Sequence, residues 1–451
     1  MVIRKTYDTI KDTTVAPWTG AWLATLPGAT NANVPRLLTP ASNSQGLVWG
    51  KDTTPLSSDW IKPALNQPYI DPAYGATIRC VSETNGERFN RNKYSRIQNE
   101  NADGSYFFTY YGNARYRVYK RETLEFIREL NIHPDSELQW HPSDPNKIRH
   151  LNGANTEQDS LKLYETDVAT GRTGVIADLT DQIRAIFPAA TEMYDSDEGS
   201  PSKEGNRYAW MIGDINGNLL GFVTYDLSTH SILGSLGNIP ENIGEVDWVS
   251  VSPSGEYMIA SSADKYNRDV VTNEGTYVFK VDFSDYTNFT SANLIFNAAE
   301  HSDIGIAKDG NDMYIYINFD SNSEDAGWIM GYNLKTKSYS HLVNIWDDGA
   351  NTSMHISAKG FNKPGWAVIS TYGGVEGAWT YRKVYALELV DNGRIANLAH
   401  TYNCADTYFQ ETQAVVNRDF SRVYFNSTSN QCGYIEDEFH TEVYSIDVPA
   451  F

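Results

Sequence analysis

A polar four-residue turn element recurs along most of this chain, and it constrains the fold more than any other feature. The copies are Asn101-Ala102-Asp103-Gly104, His141-Pro142-Ser143-Asp144, Ser200-Pro201-Ser202-Lys203, Ser252-Pro253-Ser254-Gly255, Ala307-Lys308-Asp309-Gly310, Ser357-Ala358-Lys359-Gly360 and Asn417-Arg418-Asp419-Phe420. Their first residues stand 40 to 60 positions apart, the length that four short strands and their turns occupy. Each copy is followed by an aromatic or β-branched run: SYFFTYY, KIRHL, RYAWMI, EYMIAS, DMYIYI, GWAVIS and RVYFNS. A second element follows in register, an apolar strand and then a polar hairpin, as in KLYETDVATGRTGVI and MGYNLKTKSYSHLV.

Repetition of this kind predicts an all-β chain: a seven-bladed β-propeller of four-stranded antiparallel blades spanning residues 71–451, with residues 1–70 as an arm packed on it. The last copy ends after EVYSIDVPAF, at its third strand, so the missing outer strand is expected from upstream. The segment ATIRCVSE, around Cys80, fits that clasp, because a ring must pair its last edge to leave none exposed. Aromatic content of 13% with 33 Gly suits many short strands and tight turns.

A net charge of −21 repels a nucleic-acid backbone and excludes that class of partner. No apolar run is long enough to cross a membrane as a helix. The first residues, MVIRKTYDTIKDTTVAPW, lack an apolar secretory core, so export is expected with the signal peptide absent from this chain. Three cysteines allow one bridge, Cys404 with Cys432, or three packed thiols. The chain is expected to act as a monomer.

In a propeller the strand before each turn lies innermost, and alternate positions along it share an orientation. Six residues before the turns stand Tyr194, His301 and Glu411, a layer at the channel mouth, with His355 deeper and Ser95 and Asn99 facing the channel in the first blade. His150 ends a second strand on the same face, and Asn113, Arg115, Arg268 and Arg382 lie in hairpins there. Tyr372 and Trp379 are placed to stack on sugar rings. His301, His355, Glu411 and Gln413 form a candidate ligand set for a divalent ion, structural or substrate-binding. His141, which opens a turn, is expected to cap it.

The strings LQWHPSDPNKIRHLNG, HISAKGFNKPGWAVISTYG, QAVVNRDFSRVYFNS and YSRIQNENADGSYFF resemble β-propeller polysaccharide lyases, most of all the ulvan lyases and more distantly the oligogalacturonate lyases. The resemblance covers most of residues 80–451 and implies β-elimination beside a uronic acid in an anionic, sulfated polysaccharide. It implies a His/Tyr acid–base pair, carried here by His150 and Tyr194, with His133 as a further His. The carboxylate-binding Arg of that family has no counterpart in place: Arg207 stands beside the far-side turn, leaving Arg115 or Arg268. Gln410, Glu411 and Gln413 stand where the oligogalacturonate type has part of its metal cluster. No cofactor is required by the ulvan-type chemistry. The competing reading is a non-catalytic glycan-binding or receptor-binding propeller. Sialidase-type S-x-D-x-G-x-x-W repeats do not occur, and the Trp-Asp pair at Trp346 does not recur from blade to blade.

Overall fold

A computed structural model describes residues 47–451 except 113–114, 134–135, 152–159, 197, 241–244, 264–274, 297, 299–300, 348, 350–351, 406 and 433–439. The described chain is nearly all β, with one short helix at Thr180–Ile186 and a 3-10 turn at Tyr408–Gln410. Four antiparallel four-stranded sheets follow one another, within 138–178, 190–237, 245–296 and 302–344. A fifth, within 352–400, gains Val48–Trp49 as an extra outer strand. The remaining strands join in a nine-stranded sheet that combines residues 89–129 with the end of the chain.

All seven runs expected as second strands are strands, from Tyr106–Tyr111 to Arg422–Ser427. Their alternating apolar side chains explain why: Ile315 and Ile317 face a cluster with Ile329 and Leu342, while the neighbouring sheet adds Met354, Ile369 and Tyr385. Each sheet thus buries its apolar side against the next, at about 25 cal/mol per Å² of apolar surface. Thr77–Cys80 pairs antiparallel with Thr441–Asp447, which in turn pairs with Arg422–Ser427. Ile78 and Cys80 are fully buried there, packed with Tyr444 and Ile446.

Cys404 and Cys432 form the disulfide, and Cys80 is a buried free thiol. His141 caps its turn, its Nδ1 accepting from the backbone N–H groups of Ser143 and Asp144 at 3.2 and 2.8 Å. Among the described residues no helix is long and apolar enough to cross a membrane.

One departure from expectation positions the site. The strand Phe89–Arg91 does not run on to the turn at Asn101; pairing resumes only at Glu100 with Phe107. Between them residues 92–98 leave the sheet and touch the inner strands of other sheets. Arg96 donates to Ser302 O and Oγ, pairs with Glu198 at 3.3 Å and lies 4.1 Å over the Trp248 ring. Gln98 donates to the carbonyls of Lys359 and Val416. Ser95 is therefore a buried member of a crossing segment, not an inner strand facing a channel, whereas Asn99, also buried, bonds Phe108 of the second strand through its carbonyl and Nδ2. Asparagines fix its ends: Asn92 N–H donates to Asn426 Oδ1, and Asn99 Nδ2 to Asn92 Oδ1.

Candidate functional site

Above the crossing segment four titratable side chains meet. His301 stands just before the inner strand Ser302–Ile306, His355 lies in Thr352–Ser357 and Tyr372 in Trp366–Gly373. Glu411 follows the 3-10 turn Tyr408–Gln410. His355 Nε2 lies 2.8 Å from Glu411 Oε2, with both side chains buried. Tyr372 OH lies 3.3 Å from His301 Nε2 and accepts from Ser353 Oγ at 3.1 Å. The two imidazoles are edge to face at 4.6 Å between centroids, and Tyr372 stacks on His355 at 5.2 Å. Tyr94, from the crossing segment, closes the floor against His355 at 5.5 Å.

Burial sets the protonation states, since a charged form loses hydration inside the fold. It lowers His301 and His355 to about 3, reinforced at His301 by its His355 neighbour and at His355 by Arg96 and Arg91. It raises Glu411 to about 7, against the lowering pull of His301 and Arg91. It pushes the Tyr372 phenol well above its ordinary range, with Glu411 adding to the effect. The cluster therefore combines neutral imidazoles, a phenol that keeps its proton and a carboxyl that titrates near neutrality. That is the composition of an acid–base site.

Gln413 sits beneath, fully buried, in the left-handed backbone region at φ 39°. A non-glycine residue holds that conformation only where its surroundings impose it. Its Oε1 accepts from Arg91 Nη2 at 2.9 Å. The four-residue metal set is accordingly not assembled as a metal centre: His355 and Glu411 bond each other, and Gln413 is taken by a guanidinium. Among the described residues no group of three or more His, Cys, Asp or Glu is placed to hold an ion.

The other sequence candidates fall elsewhere. His150 is buried in the sheet of residues 138–178, its Nδ1 against Leu151 O at 3.1 Å and its Nε2 against Thr166 Oγ1 at 2.9 Å, with burial lowering it to about 4. Both ring nitrogens are engaged, so its surroundings are those of a packing residue. Tyr194 is half-buried against the apolar cluster around Val246 and Met211. His133 is half-buried, its carbonyl accepting from Ser136 N–H. Arg115 is matched by Glu87 and Glu129 at 3.0 and 3.4 Å. Trp379 has 0% exposure and packs on Tyr385, which corrects its expected place at the sugar face. Arg207 donates to Gly255 O at the turn side, where the sequence put it. Asn113 and Arg268 lie outside the described residues.

Sequence reasoning missed Arg91, Tyr94 and Arg96. The available signal was the run Arg91-Asn92-Lys93-Tyr94-Ser95-Arg96, whose three cations and missing apolar alternation do not suit an inner strand. A hollow of about 770 Å³ lies apart from the cluster, lined by Trp49, Lys51, Trp366, Arg394 and Phe451.

The sheets and the converging inner strands define a propeller-fold protein, and solved structures agree. The oligogalacturonate lyase from Vibrio parahaemolyticus superposes with a TM-score of 0.56 at 12% identity, covering 85% of this chain and 96% of its own. An oligogalacturonate lyase in complex with manganese superposes with a TM-score of 0.58 at 12% identity and the same coverage. Both are polysaccharide lyases of propeller fold, and at this identity the likeness is one of fold. No protein-family model matches the chain, and no curated protein sequence matches it.

Proposed function

We propose that this protein is a polysaccharide lyase that cleaves a uronate-containing chain by β-elimination, with the cluster of His301, Tyr372, His355 and Glu411 as its active site. The observation that carries the reading is the 3.3 Å contact between Tyr372 OH and His301 Nε2, backed by a buried carboxyl–imidazole pair. The propeller-fold lyases with which the chain superposes support it at the level of fold. The strand sets are read as seven blades, and the pairing of Thr77–Cys80 with Thr441–Asp447 supports closure by the upstream strand. The substrate proposed is a sulfated, ulvan-like polysaccharide met outside the cell by a monomer.

The chemistry requires a base for the C5 proton, an acid for the oxygen leaving C4, and stabilisation of charge on the uronate carboxylate. His301, held neutral, takes the C5 proton. The C5–H electron pair forms the C4=C5 double bond as the C4–O bond breaks. Tyr372, held protonated, gives its proton to the departing oxygen. The proton on Nε2 then returns to the phenolate across their contact, and the pair is reset. This keeps the expected His/Tyr pairing in kind but assigns it to His301 and Tyr372 in place of His150 and Tyr194.

Ulvan, alginate, pectin and glycosaminoglycans, each followed by the ultraviolet absorbance of the conjugated C4=C5 product, test the reading. A rise on at least one is expected. No rise on any sinks it, and saturable binding without a rise would favour the non-catalytic glycan-binding propeller.

A further inference from the structure

Arg91 is a cation in an unusual position. It is 2% exposed, and its hydrogen bonds go to neutral oxygens: the carbonyls of Asn92, Lys93 and Phe409, and Gln413 Oε1. Among the described residues it forms no ion pair with a carboxylate. No carboxylate is bonded to this buried charge, which is costly to hold, so part of its field is left for an anion to use. That field reaches Glu411 and His355, on both of which Arg91 acts. Gln413 links Arg91 and Glu411: its Oε1 accepts from Arg91 and its amide is directed at the Glu411 carboxyl, which it helps to stabilise.

We infer that Arg91 supplies to this cluster the positive charge that a divalent ion would otherwise bring, so that the site neutralises a uronate carboxylate without metal. The guanidinium blocks the ion in two ways. It occupies the Gln413 oxygen that would ligate it, and its own charge repels a second cation from the His355–Glu411 pair. Arg91 is thereby a positioning residue: it acts through Gln413 and through the field, without touching the reacting atoms. Only the identity of the anion rests on the lyase reading; the exclusion of metal does not.

Titration of the chelator-treated full chain with Mn²⁺, by calorimetry and by thermal melting, tests the exclusion directly. No heat of stoichiometric binding and no shift in Tm are expected, and one Mn²⁺ bound per chain would overturn the inference whether or not the protein is a lyase. Gln413→Glu tests the charge, because a carboxylate of the same shape meeting Arg91 cancels it while satisfying the guanidinium. With an active substrate, this variant should remain folded by near-UV circular dichroism and raise KM about tenfold or more, the effect of cancelling the charge. Arg91→Lys should retain more activity than Arg91→Met. An unchanged KM in Gln413→Glu, or equal losses in the two Arg91 variants, would overturn it.

Discussion

His355 Nε2 and Glu411 Oε2 stand 2.8 Å apart, buried, in a site that holds the imidazole neutral and lets the carboxyl titrate at about 7. At acidic pH Glu411 is uncharged and Arg91 is left without a compensating carboxylate. Above about 7 the carboxylate forms and cancels that charge. KM for a uronate substrate should therefore rise as pH increases through about 7, and Glu411→Gln should flatten this dependence. A pH-independent KM in the unmodified protein would contradict the assignment.

The same shifts make a stability prediction. His301 and His355 have folded pKa values below the ordinary 6.5, so the unfolded chain binds their protons first and stability falls as pH drops from 6.5 towards 3. Glu411 is raised from 4.5 to about 7, so its effect runs the other way: stability rises as pH drops from about 7 to 4.5. Glu411→Gln removes the second effect and, with it, the upward pull of Glu411 on His301, which deepens the first. Melting temperature should then fall more steeply with acidification in the variant than in the unmodified protein.

Tyr372→Phe removes the proposed acid and keeps the ring that stacks on His355. Turnover should fall by about 10² to 10⁴, the usual worth of a positioned acid or base, with near-UV circular dichroism unchanged. His301→Ala should lose a comparable factor. Activity retained in both would move the chemistry out of this cluster.

His150→Ala offers the opposite pattern. It removes two hydrogen bonds and a buried ring, which should cost about 2–4 kcal/mol in denaturant unfolding, while kcat of the folded protein stays as it was. A large loss of kcat at full stability would restore His150 to the active site.

Closure by the upstream strand is tested at Ile78, fully buried against the cluster that includes Tyr444 and Ile446. Ile78→Ala should cost about 2–5 kcal/mol and lower the midpoint of a single unfolding transition. An arm that melts separately, leaving the rest at its original midpoint, would argue against a clasp.

Much of the fold was legible because its signals are local. A turn followed by an alternating apolar run makes a strand wherever it occurs, as at Asp312–Ile317 and Trp366–Gly373, and the unfinished last repeat pointed to the segment around Cys80. His301, His355 and Glu411 were gathered by the same periodicity, since counting back from each turn is a local operation. The sequence did not distinguish His150 from them: its engagement with Leu151 O and Thr166 Oγ1 depends on how two strands align across a hairpin. Nor did it place Trp379, whose burial depends on what packs over it. Least legible was the path of residues 92–98, which meets Glu198, Trp248, Ser302 and Lys359, up to 261 positions away in the chain. Periodicity reports what each strand needs from its nearest neighbours. Which cation acts on which carboxyl is decided by contacts between distant sheets, and only the tertiary structure brings Arg91 to Gln413 and its charge to bear on Glu411.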